Sequence, residues 1–244
     1  MARRPARKSA PSPRRVRPTR GASGNGVAAA KSDRDKIIAA LLALLAEKRF
    51  EAIGLADIAG RAGLSLAQLR GEFSSSLAIL AAHMKATDRA VLAEDFGDMT
   101  EEPARERLFD VLMRRLELLA PHREAVRSLI RSARRDPPLA LAFNALAVRS
   151  QQWMLGAAGI SASGPRGIIR AQGLALLFAS VLRTFVDDED SGLARTMAAL
   201  DRALGRGQHL AGLLDDLCAI PTRVCRMGRR RQRRDEDYGE DAEA

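Results

Sequence analysis

Apolar residues recur at helical spacing in three short runs: Ile37, Ile38, Leu41, Leu42, Leu44 and Leu45; then Ile53, Leu55, Ile58 and Ala62; then Leu64, Leu69 and Phe73. Positions three and four apart share one face of a helix, so each run predicts a short amphipathic helix with that face turned inward. Ser32 and Asp33 are both N-cap candidates for the first helix. Ser65 can cap the third by accepting a hydrogen bond from its free backbone N–H groups. Between the second and third helices, Ala62-Gly63-Leu64-Ser65 reads as a turn, with Gly63 supplying the conformation that a sharp reversal needs. Three such helices over 34–73 make a helix-turn-helix unit, which points to DNA binding.

Past Leu77 the pattern continues as successive amphipathic helices. The first runs over about 76–94, and Phe96 to Thr100 reads as a loop. Thr100 is the expected cap of a helix entered through Glu101, Glu102 and Pro103, an early position that suits proline. Its buried stripe is Leu108, Phe109, Leu112, Met113, Leu116 and Leu119. Pro121 is expected to start the next helix, and Pro137-Pro138 to separate that one from a helix ending near Ala157. Gly159 to Gly167 reads as a break before the most apolar helix, Ile168 to Val186. The acidic loop Asp187 to Asp190 then leads to a helix over Leu193 to Leu204. Alanine and leucine dominate, aromatic residues are only 4% of the chain, and β-branched runs are scarce, which together predict an all-α protein. The expected domains are a disordered basic arm over 1–32, a helix-turn-helix domain over 33–80, a helical regulatory and dimerisation domain over 81–225, and a disordered tail over 226–244.

Locating the charge changes what the net +10 means. Residues 1–36 hold eleven basic and two acidic residues, 226–234 add six arginines, and 235–244 cancel these with six acids. The remaining 37–225 carry twenty-three basic and twenty-two acidic residues and are almost neutral. The Pro/Arg-rich start followed by Gly21 to Gly26 reads as a disordered arm. Abutting the first helix, such an arm can follow phosphates or enter a minor groove, or it can act only as a solubilising tail. The Arg229 to Arg234 run with the acids after it reads as a self-screening tail. No apolar segment follows the basic N-terminus, which argues against secretion and leaves a transit peptide as the alternative in a eukaryote. No run approaches the eighteen apolar residues of a membrane span. Cys218 and Cys225, seven apart on one expected helix, would sit about 10 Å apart, too far to bridge. Reduced cysteines and a cytoplasmic location are expected.

The run Asp57-Ile58-Ala59-Gly60-Arg61-Ala62-Gly63-Leu64-Ser65, followed by Phe73 and an apolar helix from Leu77, resembles the TetR family of transcriptional repressors. The resemblance covers roughly 33–95 by motif. It implies an N-terminal DNA-reading domain, a C-terminal helical domain that forms a homodimer around a pocket, and release from an operator when a small apolar ligand binds. It assigns Ser65, Leu66, Ala67, Gln68 and Arg70 to the DNA-reading helix, with Arg61 and the arm on phosphates. The family pattern Ser-Lys-Gly-Thr-Leu-Tyr-x-x-Phe is matched only at Ser65, Leu69 and Phe73. Leu66 stands where the family has its phosphate-binding lysine, Arg70 where it has tyrosine, and Ser76 where it has a second lysine. Arg70 can replace one phosphate contact, and glutamine at 68 is a residue type that reads adenine.

The same resemblance places a ligand pocket among the later helices, with Phe109, Met113, Phe143, Trp153, Met154 and Phe178 as candidate lining, although residues of these types are more often plain core. It also places the dimer interface on 168–186 and 191–206, where Gly173, Ala175, Ala179 and Ser180 allow close helix approach. A second resemblance runs from Trp153-Met154-Leu155 through Arg170 to Arg183, the acidic loop and Thr196 to Arg202. Here the order and spacing are similar to the lipid-binding accessory protein of ubiquinone biosynthesis, which shares the TetR-like fold. It implies isoprenoid-lipid binding at a membrane surface. The stripe Leu210, Leu213, Leu214, Leu217, Cys218 and Ile220, ending in arginines, suits such a surface or packing on a dimer. No cofactor or metal is expected: adjacent carboxylates in one loop seldom converge on an ion. No enzyme is expected either, because His83, His122 and His209 are dispersed and no phosphate loop or nucleophile with its base is recognisable.

Overall fold

The computed structural model describes residues 32–94 and 101–207. The basic arm, the expected loop with Thr100, the 210–220 stripe, both cysteines and the arginine run lie outside the described residues. Every regular element described is helical. α1 (Asp33–Glu47) leads through a single 3-10 turn, Phe50–Ala52, to α2 (Leu55–Ala62) and α3 (Leu66–Glu72), and then to α4 (Ser76–Leu92). Next come α5 (Ala104–Leu119), a second 3-10 turn at Ala120–His122, α6 (Arg123–Ala133), α7 (Pro137–Ala157) and α8 (Gly164–Val186). A last helix, α9, covers 194–207.

Local chemistry accounts for most of the boundaries. Ser32 and Ser75 accept from the backbone N–H groups of Asp35 and Ala78, each at 3.1 Å, and Asp136 accepts from Leu139 at 3.0 Å. These side chains satisfy donors that a helix start otherwise leaves unpaired. Gly63 ends α2 in the left-handed conformation, φ 68°, where a side chain would be strained. Three expected boundaries move. Pro103 is the N-cap of α5, so Glu101 and Glu102 precede the helix. Pro137 and Pro138 are the first residues of α7, where the missing N–H costs nothing, so the expected break between α6 and α7 falls at 134–136, just before them. α8 begins at Gly164, inside the expected break. A Cβ on Gly167 would lie 2.1 Å from the Ala162 carbonyl carbon, so glycine there permits the close approach of the incoming chain.

Two hydrophobic cores result. The first joins Ile37, Leu41, Leu45, Ile58, Leu69 and Ile79 from α1 to α4, and is closed by Ala125 of α6. Phe143 of α7 leans on it, edge-on to Phe50 with ring centroids 5.3 Å apart. Leu55 departs from the expected inner face and is exposed; Ile58 and Ala59 are the buried residues of that eight-residue helix. The second core gathers Leu112, Leu116, Met154, Phe178, Phe185 and Leu200 from α5, α7, α8 and α9. Each such side chain contributes about 1.5–3 kcal/mol by leaving water. α8 has the length and apolarity to cross a bilayer, yet Leu174, Phe178, Val181 and Phe185 turn one side of it into this core.

Candidate functional site

α3 is held in place from both ends. Leu69 is buried against α1 and α2, and Phe73, the C-cap, is buried beneath the guanidinium of Arg34, 4.5 Å from its ring centroid. Ser65 accepts from the Gln68 N–H at 3.2 Å, while the Gln68 side-chain oxygen accepts from both the N–H and the hydroxyl of Ser65 at 2.9 Å. This reciprocal capping box satisfies the free donors of the first turn. The pattern Ser65-Leu66-Ala67-Gln68 signals it in the sequence, so Gln68 is a capping residue as well as the expected base reader. Leu66, Ala67, Gln68 and Arg70 all face solvent, as does Ser65, so the outer face of α3 presents one apolar, one small, one amide and one cationic side chain.

Electrostatically this unit is nearly silent. Residues 32–76 contain six basic and six acidic residues. Five of the six cations face an acid: Arg34–Glu72 at 3.7 Å, Lys36–Asp33 at 2.7 Å, Lys48–Asp57 at 3.6 Å, Arg49–Glu51 at 3.5 Å and Arg61–Glu47 at 2.8 Å. Among the described residues, Arg70 alone of the six has no such partner. Arg61, assigned by sequence to phosphate, donates two hydrogen bonds to Glu47, each 2.8 Å. Those bonds hold the Glu47 carboxyl below its ordinary value and raise Arg61. A phosphate would have to displace that carboxylate. In the sequence, the excess positive charge before α1 resides in the nine basic residues of 1–31, where no acid occurs.

The helices from α4 onward place their polar chemistry inside. Arg115 of α5 is buried and ion-paired to Asp88 of α4, whose carboxylate also accepts from Ser150 of α7 at 2.7 Å. The Arg115 guanidinium lies 5.5 Å over the Phe178 ring, and burial pulls it below its ordinary value against the opposing pull of Asp88. Beside it, His83 and His122 meet edge to face at 5.3 Å. Burial first, then the charges of His122 and Arg115, push His83 down to about 4. Burial also lowers His122. Two buried atoms in this region, Arg115 Nε and Gln151 Oε1, have no hydrogen-bond partner among the described residues. A charged residue interrupting an apolar stripe is the sequence signal for the cluster: Arg115 sits between Leu112 and Leu116, and Asp88 shortly before Val91.

Of the six expected pocket residues, Phe109, Met113, Met154 and Phe178 meet in the second core, whereas Phe143 and Trp153 do not join them. Met113 and Phe178 are buried in the second core with Phe109 packed against it, and Met154 is fully enclosed there. Phe143 belongs to the first core's margin, and Trp153 is 63% exposed on α7. Trp153 instead joins Leu141 of α7 and Ile169 and Leu176 of α8 among the exposed large apolar side chains, with only Met197 on α9. Between α7 and α8, Asn144 and Gln172 exchange two 3.0 Å hydrogen bonds. In the acidic loop Asp188 is fully buried. Its carboxylate caps α9 by accepting from the Thr196 N–H at 2.8 Å and hydroxyl at 2.7 Å. Burial raises the Asp188 carboxyl, but these bonds outweigh it and hold the group below its ordinary value. Among the described residues no group of side chains is arranged to hold a metal ion.

A helix-turn-helix unit capped onto a larger helical bundle is the architecture of a DNA-binding-type regulator. No family model matches the chain and no curated protein matches it. Solved structures do. The chain is similar to a TetR transcriptional regulator from Nitrosomonas europaea at 25% identity and TM-score 0.57, over 73% of this chain and 99% of that one. It is also similar to a TetR transcriptional regulator from a Rhodococcus species at 21% identity and TM-score 0.51, over 72% of this chain and 95% of that one. The chain has the fold of the TetR-family transcriptional regulators.

Proposed function

We propose that this protein is a dimeric, sequence-reading DNA-binding regulator in which two parts of the chain divide the work. The observation that carries this reading is α3 itself, a fully capped helix whose outer face is free while its inner face is locked into the first core. Leu66, Ala67, Gln68 and Arg70 contact base edges, Ser65 sits at the groove margin, and Gln68 leaves its capping bond with Ser65 to do so. The arm supplies phosphate contacts that the paired cations of 32–76 do not. The exposed residues of α7 and α8 form the dimer surface, so operators have two-fold symmetry. Arg115 and Gln151 receive the polar end of a small, mostly apolar effector whose binding releases DNA, and the protein acts as a repressor.

The test is genome-wide capture by the full chain and by residues 32–244, at physiological salt with competitor DNA. Discrete, two-fold symmetric sites retained without the arm support the reading. Diffuse capture that vanishes with the arm sinks it. The neutrality of 32–76 favours one second reading, a lipid-binding use of the same fold in ubiquinone biosynthesis, which that second outcome would support and lipid extraction would then examine.

A further inference from the structure

The C-terminal ends of α1 and α6 meet at a cleft of about 590 Å³ lined by Glu47, Lys48, Arg49, Ala52, Arg131, Arg134 and Arg135. Two buried serines fix the two walls. Ser128 of α6 donates to the Lys48 carbonyl at 2.6 Å, and Ser132 accepts from the Phe50 N–H at 3.1 Å; both serines are fully enclosed. The basic pair Lys48-Arg49 is thereby held opposite the three arginines at the end of α6. Five cations face one lining acid, and that acid, Glu47, is already neutralised by Arg61 of α2. Lys48 and Arg49 have partners in Asp57 and Glu51, with Glu51 also drawn toward Ser132 and Arg135. None of Arg131, Arg134 and Arg135 forms an ion pair with an acid within 4 Å among the described residues.

Cations at two helix C-termini complement the helix dipoles, and one or two would suffice for that. Five around a concavity of small-molecule size exceed it. Guanidinium groups present paired donors that match phosphate oxygens, and three on one wall suit a ligand with more than one phosphate. We propose that this cleft is a binding site for a small molecule carrying two or more phosphate groups, clamped between α1 of the helix-turn-helix unit and α6 of the C-terminal domain. The concave shape favours a small ligand over the backbone of a duplex. Because the walls belong to the two parts of the molecule, occupancy stiffens the joint and changes the presentation of α3. That regulatory consequence rests on the DNA-binding reading; the site does not.

The experiment is thermal unfolding of the full chain with inorganic tripolyphosphate, against sulfate at matched ionic strength. A ligand that binds only the folded site raises Tm, whereas the basic arm is expected to bind a polyanion whether or not the chain is folded. The expected result is a rise of about 3 °C or more with tripolyphosphate alone. It is lost in Arg131→Gln/Arg134→Gln/Arg135→Gln and kept in Arg202→Gln/Arg206→Gln on α9. All five substituted side chains are exposed or half-exposed, and ligand-free Tm values establish that both variants fold. An equal rise in the triple variant, or with sulfate, overturns the proposal. Displacement of tripolyphosphate from the cleft by random-sequence duplex overturns it in favour of a nucleic-acid contact. A thermal shift with no effect of tripolyphosphate on DNA capture leaves the site standing and removes its regulatory consequence, whereas a thermal shift in a chain that captures no discrete sites leaves the site standing and counts against the DNA-binding reading.

Discussion

The two cores of this molecule are built differently. The first, under the helix-turn-helix unit, is made of aliphatic side chains and one phenylalanine, with no buried charge among 32–76. The second encloses Asp88, Arg115, Ser150 and Gln151 among its apolar residues. A dry core fixes a platform and leaves all of its chemistry on the outer face. A core with an incompletely paired polar cluster can respond to what enters it, since buried polar groups without partners cost free energy that a ligand can relieve. Under the proposed function, the difference separates a part that presents α3 from a part that receives the effector.

The largest effect should come from breaking the buried pair. Arg115→Ala leaves the Asp88 carboxylate enclosed without its cation and should destabilise the fold by about 3–5 kcal/mol, read by denaturant or thermal melting. Asp88→Leu combined with Arg115→Met removes both charges and should recover most of that loss. If Arg115→Ala melts like the parent, the second core does not depend on its charges and the contrast with the first disappears.

A smaller effect should appear with pH. Free histidine titrates near 6.5, and His83 in the fold is pushed down to about 4. The unfolded chain therefore binds the extra proton first. His83's contribution to stability is complete above about pH 6.5 and is lost progressively as pH falls toward 4, by roughly 3 kcal/mol in total. Residues 32–76 contain no histidine. The stability decline over this window should shrink in His83→Leu, and an unchanged decline would remove His83 from the account.

Much of the fold was legible in sequence because helical periodicity, capping serines and Gly63 act locally. Ser32, Ser65 and the start of α4 at Ser76 stand where local rules place them. Leu55 was misplaced because periodicity does not say how much of a two-turn helix its neighbours cover. Pro137 and Pro138 mark the break between α6 and α7 in the sequence, and they fall on its helical side because proline suits a helix start. The outer face of α3 was legible residue by residue, but the pairing of Arg61 with Glu47, fourteen positions away, depends on how α1 and α2 cross. The same holds for the Asp88–Arg115–Ser150 cluster and the cleft between Lys48-Arg49 and α6, whose members come from separate helices. Residue type alone puts Trp153 and Phe143 with the pocket, but helix rotation sends one to solvent and the other to the first core.

The most direct test of the central claim is the ratio of affinities for a captured site and for random duplex, measured at fixed salt for the parent chain and for Gln68→Ala/Arg70→Ala. A capped α3 that reads sequence predicts that the ratio falls to near one in the double variant while random-duplex binding, supplied by the arm, changes little. A ratio preserved in the double variant would contradict the assignment of sequence reading to α3.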